Sequence, residues 1–219
     1  MKFFGWRMVF TGLTLEFTVV GFIFYSFPVI WPYLISELGM TESQLGMVSA
    51  FYFIPVGILA IVVGRALDKY SVKNFMMIGA IIYAAGLFSL SFINSFWSLL
   101  TIYLTILALG SIMMGNLAVA KLISNWFDKN AGRALGIAAI GISFSGVVLP
   151  LVVDPLLDLV GWRNVYVIFA SVVLFILLPL IFFTVIDDPK TVNQFKDCLL
   201  YTSDAADEGL GVDLGGRRI

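Results

Sequence analysis

Few residues of this chain could do chemistry, and each sits where the surroundings make it costly. Glu16 lies about a third of the way along a long apolar run that begins at Met8. An acid at the centre of a membrane helix costs roughly 2.5–3.5 kcal/mol on insertion scales, so it marks either function or a satisfied structural site. Glu16 could be a proton-coupling carboxylate facing a central cavity. It could equally be a buried acid answered by a hydroxyl or a backbone group. The opposite face of the same segment carries Thr11, Thr14, Thr18, Gly21 and Tyr25 at helical spacing. Either face could line a transport path, but both could not do so equally. Asn116 is the one side-chain amide of the fourth apolar segment and Lys121 closes that segment. Asn116 could contact a solute, although an amide bond to a neighbouring helix needs no ligand and is the preferred reading. Lys121 is expected to snorkel to the lipid headgroups.

The residues that are missing narrow the chemistry further. The chain has no histidine, which removes histidine bases and metal ligands, and its single cysteine, Cys198, excludes an internal disulfide. Gly141-Ile142-Ser143-Phe144-Ser145-Gly146 lacks the G-x-S-x-G spacing of a nucleophile elbow, and no histidine could activate Ser143. No phosphate-cradling G-x-x-x-x-G-K-S/T occurs. Neither an enzyme nor a cofactor nor a metal site is expected.

The elements that must hold these residues follow from composition. Of 219 residues, 60% are hydrophobic and 12% charged, about half the charged share of a soluble domain. A bilayer has to solvate such a chain, and a helix needs about 20 apolar residues to cross it. Six segments qualify: Met8–Leu34, Gln44–Val63, Val72–Phe92, Phe96–Ala120, Gly132–Val153 and Val165–Ile186. The first run is too long for a cleaved signal. With the N-terminus cytoplasmic, and Arg217 and Arg218 of the tail set aside, ten bases (Lys2, Arg7, Arg65, Lys69, Lys73, Lys121, Lys129, Arg133, Lys190 and Lys196) fall inside and only Arg163 outside. The positive-inside rule therefore fixes this orientation. Basic clusters explained by topology give no support to nucleic-acid binding. A six-helix channel would be expected to show a filter ring or re-entrant loop, and the outer loops are too short and plain for one.

Segments two and five share a stripe of small residues. Gly46, Ala50, Gly57, Ala60 and Gly64 recur on one face of the second, and Gly132, Gly136, Ala139, Ser143, Gly146 and Pro150 on one face of the fifth. Small residues let helices pack closely in lipid, where no hydrophobic force drives them together. One reading is ordinary packing within a bundle. The other is that segments two and five are equivalent members of two three-helix repeats, as in many transporters.

The loop after the second segment reads Gly64-Arg65-Ala66-Leu67-Asp68-Lys69-Tyr70, with Lys73 beyond. It resembles the helix 2–3 loop of the major facilitator superfamily, G-x-x-x-D-R/K-x-G-R/K-R/K. Gly64, Asp68, Lys69 and Lys73 match, while Ser71 and Val72 depart from the second glycine and the first trailing base. Further on, Asn125-Trp126-Phe127-Asp128-Lys129 leads into Gly132-Arg133-Ala134-Leu135-Gly136, and Gly161-Trp162-Arg163 follows. With Gly5-Trp6-Arg7, these runs look like the superfamily branch of monocarboxylate transporters and oxalate–formate antiporters, although Ala131 stands where that branch has a base.

The resemblance covers roughly 5–189 and implies an all-α membrane protein: six transmembrane helices, as two three-helix inverted repeats, forming the N-terminal half of a major facilitator fold. It implies a secondary transporter for a small organic anion, such as a monocarboxylate or oxalate/formate, with a coupled proton or counter-anion. The location implied is a bacterial inner membrane. Many members carry R-x-x-x-G on helix 4; here Ser111 precedes Gly115 at that spacing. This departure disfavours sugar–proton and multidrug–proton readings and fits a branch whose anion-binding arginine is expected on helix 8, outside this chain.

Two more expectations come from the resemblance. Asp68 is either a solvated loop acid or, as preferred, a partner for a helix N-terminus in the second half, where a carboxylate gains about 0.3–1 kcal/mol from the dipole. Gly46, Ala50, Gly57, Gly136, Ser143 and Gly146 would face that half. The domains expected are a six-helix unit, 1–190, and a non-membrane tail, 191–219. From Cys198 onward the text loses every membrane or helical period and resembles translated adapter sequence, so 198–219 is expected to be non-native and the gene to continue.

Overall fold

The computed structural model describes residues 3–197, and every regular element among them is helical. The expectations for 198–219 lie outside the described residues. Five long apolar runs occur: α1, Gly5–Leu38; α2, Glu42–Leu67; α3, Val72–Leu90; α4, Phe96–Trp126; and a fifth, Ala131–Thr184. The fifth is two helices, α5 (131–160) and α6 (162–184), divided at Gly161, where φ is 75° and ψ is 159°. That backbone region is open essentially to glycine alone.

The helix ends are written in the sequence. Gly39 takes a left-handed φ of 64° and stops α1. Thr41 and Gln44 form a capping box that starts α2, Ser71 caps α3, and Ser95 with Ser98 does the same for α4. Two expectations about extent are corrected. α1 and α4 run past the apolar limits Leu34 and Ala120, because an intact backbone ladder continues where side chains turn polar. An outer loop expected around 154–164 is absent, since the chain stays helical up to the break at Gly161.

α1 is not uniform. Gly21–Tyr25 forms a π-helical turn, with Pro28 and Pro32 soon after. Such a turn disturbs the carbonyl ladder, and neighbouring hydroxyls answer it. Tyr83 of α3 donates to the Val19 carbonyl at 2.8 Å, Tyr103 of α4 to that of Ile23 at 3.4 Å, and Ser26 to that of Gly21 at 2.9 Å.

Two close pairings build the bundle. On α5, a Cβ at Gly141 would sit 2.2 Å from the Leu13 carbonyl oxygen of α1, and one at Gly21 would sit 3.0 Å from Ser145 Cβ. On α4, a Cβ at Gly110 would sit 2.6 Å from the Tyr83 backbone nitrogen of α3. Each glycine lets one backbone approach another, which in lipid is where packing energy is available. α6 packs on α3, and α2 leans on α4. α2 is the least covered helix: 17% of its most apolar window is buried, against 56% for α1.

Candidate functional site

The middle of the bundle presents the α1–α4 contact. Gly12, Glu16 and Val19 share one face of α1. A Cβ on Gly12 would meet Val119 of α4, and a Cβ on Gly115 would meet Val19. This face therefore carries Glu16 into α4, where it is 2% exposed. The Asn116 side chain interacts with the Glu16 carboxyl, while Glu16 Oε2 has no hydrogen-bond partner. Asn116 is positioned by a break: Gly115 leaves the helical region (φ −90°, ψ −142°), and Asn116 opens the second part of α4 on an exposed face. The pair thus joins a buried carboxyl to an amide at the surface of the bundle.

Ser111, at the position where the resembled family often has arginine, holds the phenol of Tyr52 from α2 by a buried hydrogen bond. That bond ties α2 to α4 four residues before the break at Gly115.

The hydroxyl face of α1 is largely spent. Thr11, Thr14 and Thr18 each donate to the carbonyl four residues back, at 2.9–3.0 Å. Thr11 also bonds Thr184 of α6 at 2.9 Å. Thr11 and Thr18 are buried, and Thr14 and Tyr25 half-buried. The Tyr25 ring lies over Gly146 of α5, so Gly146 meets a side chain of its own bundle.

Clasps at the two ends hold the wall. The Lys121 ammonium pairs with Asp68. The geometry is parallel: Gly64 lies over Leu117, and four residues on in both helices Asp68 meets Lys121. Lys69 is exposed. Lys73 turns elsewhere: its backbone N–H donates to Asp187 at 2.8 Å and its ammonium lies 4.9 Å from the Phe182 ring centroid. At the opposite end Glu37 receives Trp162 Nε1 at 2.9 Å and the Arg163 guanidinium at 2.8 Å, and that guanidinium stacks on Trp162 at 4.1 Å. The Gly161-Trp162-Arg163 run thus closes on the end of α1. Nothing in a linear text pairs Glu37 with positions so far along the chain as Trp162 and Arg163.

The segment expected as a tail is partly structured. Asp197 receives the backbone N–H groups of Asp128, Lys129 and Asn130 at 2.6, 3.1 and 2.8 Å, just before α5. Partial burial opposes its charge, but these donors and the Asn130 amide together hold its carboxyl below the ordinary range. Trp126 Nε1 donates to the Ile186 carbonyl at 2.7 Å and Asn125 to that of Asp187 at 3.1 Å.

The stripe divides. At Gly46 and Gly57 of α2 and at Gly132 and Gly136 of α5, an added Cβ would find nothing within 4 Å, and Ala50 and Ser143 are exposed. Along this face the described residues offer small side chains to open space.

Comparison with known proteins places the arrangement. The family description Major Facilitator Superfamily matches residues 13–197. An MFS-type transporter of Aspergillus niger, pynF, is 24% identical over 160 residues, covering 72% of this chain and 36% of that protein. A probable hexose phosphate transport protein of Chlamydia trachomatis is 27% identical over 163 residues, covering 73% and 35%. The chain thus spans about a third of the length of these relatives. Among solved structures, a bacterial homologue of the human lysosomal transporter Spinster, inward-facing and unoccupied, superposes with a TM-score of 0.61 at 16% identity. That superposition covers 88% of this chain and 43% of the other. It matches the helices in space, as the sequence match does in text: this chain is a member of the Major Facilitator Superfamily, with helices long and apolar enough to make it an integral membrane protein.

Proposed function

We propose that the chain supplies the N-terminal half of a secondary transporter that moves a small organic anion by alternating access. In this reading α1 to α6 each cross the bilayer, as two inverted three-helix repeats, with both ends of the unit cytoplasmic. The observation that carries it is the open stripe: Gly46, Gly57, Gly132 and Gly136 are shaped for close helix contact and meet none among the described residues. A second six-helix half would cover them, and rocking of the halves about a midplane site would expose that site to each side in turn.

Glu16 and Asn116 are the mid-bilayer polar pair of this wall. A carboxylate repels an anion, so Glu16 serves coupling: its unpartnered oxygen offers a proton site, and exposed Asn116 links it to the path. The charge asymmetry of the loops supports the orientation. The sequence runs shared with the monocarboxylate and oxalate–formate branch favour a carboxylate. The relative named for hexose phosphate favours a second reading, a phosphate ester, which is also an organic anion.

Uptake into vesicles containing the product of the complete gene tests this. Labelled lactate, formate, oxalate and glucose 6-phosphate should each be compared with glucose, with and without a pH gradient. Preference for an anion, with coupling lost in Glu16→Gln while anion affinity is kept, is the expected result. Preference for the neutral sugar would remove the anion reading, and unchanged coupling in Glu16→Gln would return Glu16 to a structural role. A topology reporter placed after Glu37, Lys69 or Pro189 checks the orientation; an outside signal at Lys69 would overturn it.

A further inference from the structure

α3 and α6 enclose a groove of about 590 Å³ on the outer face of the bundle, away from the open stripe of α2 and α5. Its walls are Ile78 and Ile81 of α3 and Leu178, Pro179 and Phe182 of α6, and its one polar lining residue is Asn74 at one end. From Asn74 to Ile81 the groove follows about two turns of α3, roughly 10 Å at 1.5 Å per residue. Both flanks are half open: Ile78 is 49% exposed and Phe182 53%.

The charges lie at the Asn74 end only. Lys73 adjoins Asn74, and its ammonium stacks on Phe182, a wall of the groove. Arg7 donates to the Phe183 carbonyl at 2.9 Å, using one of its five N–H donors at the last turn of α6. Neither base takes part in the ion pairs found among the described residues. Asp187 is the acid nearby, and it accepts the Lys73 backbone N–H at the start of α3. The groove is therefore polar and cationic at one end and wholly apolar beyond.

We propose that this groove is a binding site for an anionic phospholipid. One acyl chain lies along Ile78, Ile81 and Phe182, and the phosphate meets Lys73 and the Asn74 amide, with Arg7 beside them. The charge pattern selects the occupant. A zwitterionic lipid could fill the apolar part but would gain little from the bases, whereas a base near an anionic headgroup contributes about a fivefold preference, the factor for about 1 kcal/mol. The proposal is independent of the transported solute.

The test is phospholipid retention by the full chain, purified in detergent, after exposure to phosphatidylglycerol or phosphatidylcholine and read by native mass spectrometry. Wild type should retain phosphatidylglycerol at least fivefold over phosphatidylcholine. Lys73→Gln should reduce that preference about fivefold, Lys69→Gln should leave it unchanged, and Ile81→Trp should lower retention of both lipids. Equal retention of the two lipids by wild type overturns the proposal, as does an unaltered preference in Lys73→Gln. A phosphatidylglycerol carrying a photoreactive group on its acyl chain provides a readout that needs no variant. Label concentrated on 74–81 and 178–183 supports the site, and label spread over all six helices refutes it.

Discussion

α5 carries two glycines with opposite surroundings. Gly141 has the Leu13 carbonyl so near that a Cβ would lie 2.2 Å from it, while Gly136 has nothing within 4 Å. Five residues separate them, which turns them about 140° apart on the helix. Gly141 therefore looks into the α1–α5 wall and Gly136 away from it. Residue type is the same at both positions, so small size alone does not say what a helix packs against. The wall at Gly141 is complete within this chain. The face at Gly136 and at Gly57 of α2 is, in our account, the half of a contact whose partner lies elsewhere.

Substitution breaks this comparison most sharply. Gly141→Leu should prevent a folded, monodisperse protein, because the obstructing atom is backbone and cannot swing aside; overpacking costs about 1–3 kcal/mol and more where nothing yields. Gly136→Leu in the same 219-residue chain should change thermal unfolding little. Equal damage from both, measured by size-exclusion profile against temperature, would end the distinction between closed and open faces.

A smaller effect is expected where the helix breaks. Gly161→Ala should destabilise by about 1–3 kcal/mol, the cost of a side chain at that φ and ψ. It should also loosen the grip of Trp162 and Arg163 on Glu37, seen as faster hydrogen exchange at the end of α1. Smaller again is the Asp68–Lys121 pair, whose side chains are 66% and 33% exposed. Asp68→Asn and Lys121→Gln should each cost less than about 1 kcal/mol, and the double variant should cost no more than the larger single one. If Asp68 also meets the second half, Asp68→Asn will slow transport by the complete protein while Lys121→Gln will not.

The least effect concerns acid. Asp197 has its carboxyl pKa lowered on folding, so the stability it lends is present above the ordinary carboxylate value and is lost as pH falls through the lower folded value. Exchange at the amides of Asp128, Lys129 and Asn130 should accelerate only in that acid range. Acceleration near neutral pH would mean that another group holds the segment.

Much of this was legible from local signals. The apolar runs announce the helices, while the caps at Thr41 and Ser95 and the stop at Gly39 come from the structure. The family loop at Gly64 and Asp68 was also readable in the text. What escaped was everything set by distance across the bundle. The Lys121 ion pair depends on parallel register between α2 and α4, and the Glu37 clasp on how α1 and α6 end side by side. The full length of α5 escaped because the apolar run ends at Val153, while the backbone stays helical up to the break at Gly161. Glu16 was visible as a lone intramembrane acid, but its amide partner Asn116 appears only when the break at Gly115 turns it toward α1.

The central claim is that the open stripe meets a second half. The structure of the product of the complete gene in a lipid bilayer tests it most directly. The account predicts that atoms from beyond residue 197 lie within about 4–4.5 Å, ordinary side-chain contact, of Gly57 or Gly136 in at least one state. Both glycines facing lipid in every state, with no protein over them, would contradict it.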